Sequence, residues 1–164
     1  MILERYKQGY SNLPRRYGVH GIISLNHKSI GGNRIIYTLE SMWEPTGDEP
    51  HGALGRSCVA EGSYELSIEQ SPVNNKEYPF IYNESLGVAL RAKNNATNKT
   101  GHAIVDISID DPSRIFGRFI LAGRSADYDS RGFYMPTKRE EAIEMLNTYI
   151  KASGDKKLTI RWKK

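Results

Sequence analysis

Only one segment of this chain has the hydrophobic period of a helix; wherever else a period can be read, it is two. In Ala142, Ile143, Leu146, Tyr149 and Ile150 the apolar residues return every three to four positions, which puts them on one helical face. Thr137-Lys-Arg-Glu140 precedes that stripe with the spacing of a capping box, and Gly154 follows it as a stop. A helix over about 137–152 is therefore predicted. The remaining ordered segments must pair with one another, so the fold class is mainly β (α+β): a single antiparallel sheet, barrel-like or sandwich, with one C-terminal helix and a terminal strand.

The strands are read from their patterning. Ile2 and Leu3 open a short extended segment. Val19 to Leu25 and Arg34 to Leu39 flank Lys28-Ser-Ile-Gly-Gly-Asn33, and glycine and asparagine supply the positive φ of a hairpin loop. Tyr64, Leu66 and Ile68 alternate with polar partners, as do Ala103, Val105, Ile107 and Ile109. Val88 to Ala92 is a further short candidate. Phe119 to Ala122 is apolar throughout and is expected to be buried on both faces. Leu158, Ile160 and Trp162 alternate with Thr159, Arg161 and Lys163, which gives a basic C-terminal strand within 156–164. Pro45, Gly47, Pro50, Gly52 and Gly55 break any regular element over about 43–57 and predict a long surface loop.

At 164 residues the chain is expected to be one domain, 1–164. No apolar run reaches the ~20 residues of a membrane span, so no membrane partner is expected. The charged start, Met-Ile-Leu-Glu-Arg-Tyr-Lys, lacks the apolar stretch of a signal peptide. The net charge is +4, but residues 151–164 alone carry six cations against Asp155. The body is nearly neutral, which makes nucleic acid an unlikely partner, because nucleic-acid binding needs a basic face.

Candidate chemistry is sparse. His20, His27, His51 and His102 are scattered without ligand spacing, so no metal and no cofactor is expected. His20 reads as a packed histidine and His51 as a solvated one. Cys58 is the only cysteine; it excludes an internal disulfide and reads as a small buried hydrophobe rather than a nucleophile. Asp106, Asp110 and Asp111, and Asp127 with Asp129, read as turn aspartates. The ten tyrosines carry more information. A tyrosine ring buries area while its hydroxyl stays paired, so many surface tyrosines suit contact with other proteins.

The order of segments resembles a family of small, mostly bacteriophage-encoded domains of unknown function that look distantly like L,D-transpeptidases. The residues carrying the resemblance are Thr38-Leu39-Glu40, Gly62-Ser63-Tyr64, Ser71-Pro72, Tyr78-Pro79-Phe80, the run Gly117-Arg118-Phe119-Ile120-Leu121-Ala122-Gly123 and the helix at 137–152. Where the family has Gly-Cys, this chain has Gly117-Arg118. Where it has Ile-His, Leu90-Arg91-Ala92-Lys93 and Ile107-Ser108 offer no histidine. A thiol and its base act as a unit, so the resemblance implies a scaffold without its reaction and no catalytic residue.

The function this implies is a non-enzymatic phage structural or assembly protein, a minor virion component such as a tail or baseplate piece. It would be made in the host cytoplasm and located in the virion, with other virion proteins as partners. Arg118, Arg124, Trp162, Lys163 and Lys164 are the expected partner-binding residues. Two alternatives are a peptidoglycan-active or wall-binding phage protein, with peptidoglycan as partner, and a cytoplasmic host-takeover or anti-defence protein.

Overall fold

The first three strands form a continuous meander. β1 (Ile2–Tyr10) runs antiparallel to β2 (Tyr17–His27), which turns into β3 (Gly32–Glu40). The β2–β3 turn is a short 3-10 segment, Lys28–Ile30, closed by Gly31 and Gly32 at φ +80° and +94°. A Cβ would be strained at both positions, so the Gly-Gly of the hairpin signal is required there. The computed structural model describes residues 1–11, 17–52, 57–71, 75–88, 102–106 and 119–164.

Five further strands complete a closed eight-stranded barrel: β4 (Gly62–Gln70), β5 (Glu77–Tyr82), β6 (His102–Val105), β7 (Phe119–Gly123) and β10 (Lys157–Trp162). Around the wall the order is β1-β10-β4-β5-β6-β7-β3-β2, and the β1–β2 pairing closes it. Closure leaves no free edge in the barrel wall itself. A separate two-stranded hairpin, β8 (Ser125–Tyr128) and β9 (Tyr134–Thr137), lies against β3 and β7. The helix α1 (Arg139–Ser153) contacts β2, β5, β6, β7 and the 28–30 turn, and it buries Ala142, Ile143, Leu146 and Ile150 in the core. Leu3, Ile23, Ile36, Leu39, Tyr64, Ile104, Ile120, Leu121 and Leu158 make up much of the rest.

The expected sheet, helix and terminal strand are present, with three corrections. The barrel is not purely antiparallel: β1 pairs with β10, and β6 with β7, in parallel. Alternation has the same period in either direction, so it carries no information about strand polarity. The capping box does not form either. Thr137 ends β9, where its hydroxyl donates to Asp127 Oδ2 at 3.2 Å. The helix starts one residue later, from Lys138 in the left-handed region (φ +52°) with no side-chain cap. Finally, β6 is buried on both sides rather than one. Ile107, Ile109 and 89–92 lie outside the described residues.

One glycine is required by close approach and another by the turn it makes. At Gly123 an added Cβ would sit 2.4 Å from the Thr137 carbonyl oxygen, so only glycine lets the β8–β9 hairpin cross the end of β7. Gly154 ends α1 at φ +68°, its N–H bonded to the Ile150 carbonyl at 3.0 Å, as its position predicted. The loop after β3 has no strand or helix among its described residues, and it is fastened at both ends. The Cys58 N–H donates to the Met42 carbonyl, and the Ser57 hydroxyl accepts from the Glu44 N–H at 2.9 Å. Cys58 and Val59 thereby return to the interior, 1% and 0% exposed.

Candidate functional site

The β1–β2–β3 wall has two chemically distinct faces, set by the alternation of its side chains. Inward lie Leu3, Val19, Ile23 and Ile36, together with Arg5 and Glu40. Arg5 Nε and Nη2 donate to the two carboxylate oxygens of Glu40 at 2.9 and 2.8 Å, and Nη2 also donates to the Val59 carbonyl at 2.8 Å. Burial opposes the charge on Arg5, but the Glu40 carboxylate outweighs it and holds the guanidinium protonated. Cys58 lies near this pair. Burial first, then the Glu40 charge, pushes its thiol up to about 12, so no thiolate is available at neutral pH.

The outer face is aromatic. A register shift between Arg5 and Lys7 makes a β-bulge at Tyr6, which turns the strand so that Tyr6 and Lys7 both border His20. His20 is 1% exposed although it is on the outer side, because Tyr134 of β9 stacks over it with ring centroids 3.9 Å apart. Gly9 leaves the space for the imidazole: a Cβ there would be 3.3 Å from His20 Cε1.

The Ser11 hydroxyl donates to the Gly9 carbonyl at 2.9 Å and lies 2.8 Å from His20 Nε2. A hydroxyl has one proton, so in this arrangement His20 Nε2–H is the donor to Ser11 and Nδ1 carries the lone pair. Nδ1 is buried and has no hydrogen-bond partner. Burial, and then the charge of Lys7, lower the His20 pKa to about 4. The ring is neutral at physiological pH and cannot take the Ser11 proton while it is donating to the same oxygen.

Above this floor the rings reach solvent. Tyr6 and Tyr128 are 42% and 62% exposed, whereas Tyr10 and Tyr17, at 65% and 39%, reach solvent from the other side of the β1–β2 ribbon, in the register of Val19. They are held in place by one another. Tyr10 stacks on Phe133 at 5.6 Å and meets Tyr17 edge-on at 5.5 Å, while Arg131 lies over the Phe133 ring at 4.4 Å. The hairpin that carries Tyr128, Phe133 and Tyr134 is itself fixed by Asp129, whose Oδ1 accepts the N–H of Arg131 and of Phe133 at 2.8 and 3.0 Å. Further along the same wall, Ile2 and Ile35 are 40% and 45% exposed on either side of Ser24 in the register.

The residues expected to bind a partner do not meet here. Arg118 lies outside the described residues. Arg124 follows the C-terminal end of β7, whereas Trp162, Lys163 and Lys164 end β10. β7 runs opposite to β10, so the two groups mark opposite ends of the barrel. Trp162 is half-buried and continues the inward series of Leu158 and Ile160, while Lys163 and Lys164 are exposed.

The outer aromatic face was foreshadowed only by the tyrosine count. Asp129 and Gly132 between Tyr128 and Tyr134 were the available signal for its hairpin. Among the described residues no group of three His, Cys, Asp or Glu side chains is placed to hold a metal ion, and no helix is long and apolar enough to cross a membrane. No protein-family model, curated protein or solved structure matches this chain.

Proposed function

We propose that this barrel is a non-catalytic docking module, a structural or assembly component of a bacteriophage particle that keeps an L,D-transpeptidase-like scaffold without its reaction. The observation that carries this reading is the aromatic end of the β1–β2 ribbon with the β8–β9 hairpin, where four tyrosines stand 39–65% exposed on ordered rings, Tyr6 and Tyr128 on the His20 side and Tyr10 and Tyr17 on the other. Rings held by their neighbours lose little side-chain entropy on binding, and tyrosine is enriched in interface centres. The occupant proposed is another protein of the particle.

The state of the nucleophiles supports the non-catalytic part. Cys58 is buried and protonated, and the Ser11 hydroxyl is committed to a carbonyl. On this reading, mass spectrometry finds the chain in purified particles, and a Tyr10→Ala/Tyr128→Ala variant folds normally but is depleted from them. Presence only in the cytoplasm of infected cells overturns the reading in favour of host takeover, and retention on purified sacculi overturns it in favour of wall binding.

A further inference from the structure

We infer a second site, further along the same wall as the aromatic cluster: the cleft of about 540 Å³ lined by Ser24, Asn33, Arg34, Tyr37 and Arg124 binds the oxyanion group of a small molecule. Its volume falls in the range of small-ligand sites, roughly 300–1,000 Å³. Two arginines line it, and among the described residues neither guanidinium is paired with a carboxylate. Arg5, Arg131 and Arg161, in contrast, each hold a carboxylate oxygen at 2.8–3.2 Å. The one hydrogen bond of Arg34 is a donation from Nη1 to the Asn33 carbonyl at 2.8 Å, which leaves its remaining N–H groups available. Arg124 Nε is shielded from water without any acceptor.

Both cations are held in position. The Arg124 backbone N–H donates to the Lys138 carbonyl at 3.3 Å, directly after the close Gly123–Thr137 crossing. Arg34 folds back over the hairpin turn, where a Cβ on Gly31 would lie 2.7 Å from its Nη2. The other polar lining groups are a serine and a tyrosine hydroxyl and an asparagine amide, all able to donate, and no Asp or Glu lines the cleft. Leu25 and Ile35 complete it with apolar surface. Unneutralised guanidinium forks beside hydroxyl donors are matched to phosphate or carboxylate oxygens, and their summed potential excludes cations.

The test is titration of the intact chain with pyrophosphate and, separately, with succinate at low ionic strength, followed by calorimetry and by amide shifts of residues 33–37 and 124. Saturable binding by at least one anion is expected, weakened about tenfold or more in Arg124→Gln and in Arg34→Gln. Arg124→Lys, which keeps the charge but not the fork, is expected to lie between. Arg161→Gln, which removes a cation elsewhere, leaves the affinity unchanged. The anion that binds more tightly distinguishes a phosphate from a carboxylate ligand. Absence of saturation with both anions overturns the site. An equal loss in Arg161→Gln also overturns it, because the attraction is then only diffuse positive charge. Circular dichroism identifies any variant that misfolds, and Arg34→Gln then carries the comparison.

Discussion

The same three strands present a sealed ion pair on one side and an unfinished aromatic layer on the other. Inside the barrel, Arg5 and Glu40 have all the water stripped from them and replace it with two mutual hydrogen bonds and the Val59 carbonyl. Outside, His20 is equally buried but only one of its ring nitrogens is satisfied, and the tyrosines around it stay in water. The difference separates two roles. Completed polar contacts in the interior fix the fold, while exposed rings on an ordered base give nothing to the isolated fold that a partner could not exploit better.

That contrast can be broken most forcefully from the inside. Glu40→Gln leaves the Arg5 charge buried and unpaired, and is expected to cost about 3–5 kcal/mol, read from urea unfolding. Replacing both partners with apolar residues of similar volume, as in Arg5→Met/Glu40→Leu, should recover most of that loss. A single variant as stable as the parent would remove the pair from its structural role. Next comes the attachment of the outer layer. Gly123→Ala inserts a methyl group against the Thr137 backbone and is expected to cost about 3 kcal/mol. Amide exchange should then accelerate through residues 125–137 while β1–β3 keeps its protection.

A third effect belongs to His20 and appears only as pH falls. Its pKa is about 4 when folded, against 6.5 for the free side chain. As pH falls, the unfolded chain therefore takes the proton first. The stability that comes from keeping this ring neutral is complete above about pH 6.5, declines between 6.5 and 4, and changes no further below 4. The loss across that window is expected to be at most about 3 kcal/mol. His20→Phe should flatten the slope between pH 4 and 6.5; an unchanged slope would assign it to other groups. The smallest effect should come from the exposed rings. Tyr10→Ala and Tyr128→Ala are each expected to change stability by no more than about 0.5 kcal/mol in thermal unfolding, so that any effect on particles reports binding.

Some of this was legible in the residues themselves. Alternation in Tyr64–Ile68 and Leu158–Trp162, the Gly31-Gly32 turn and the apolar stripe of 142–150 are local signals, and each produced the expected element. Gly123 was visible as the end of a strand, but its reason was not, because the Thr137 backbone that excludes a Cβ is 14 residues away. Thr137 reads as a cap from its neighbours, yet in the fold it belongs to a strand. Asp127 and the β8–β9 pairing take its hydroxyl before the helix can.

Local residue patterns therefore carried the periodicity: many strands, one late helix, a hairpin that needs glycine, and a surplus of tyrosines with no nucleophile motif. Polarity, closure and adjacency were decided only in three dimensions. A period of two is identical for parallel and antiparallel neighbours, so nothing local could place β10 beside β1 or β6 beside β7. Nor could spacing show that Arg5 finds Glu40 two strands away, that His20 is roofed by Tyr134, or that Arg34 and Arg124 line one cleft. Those residues are 35 to more than 100 positions apart, and only the tertiary fold brings them together.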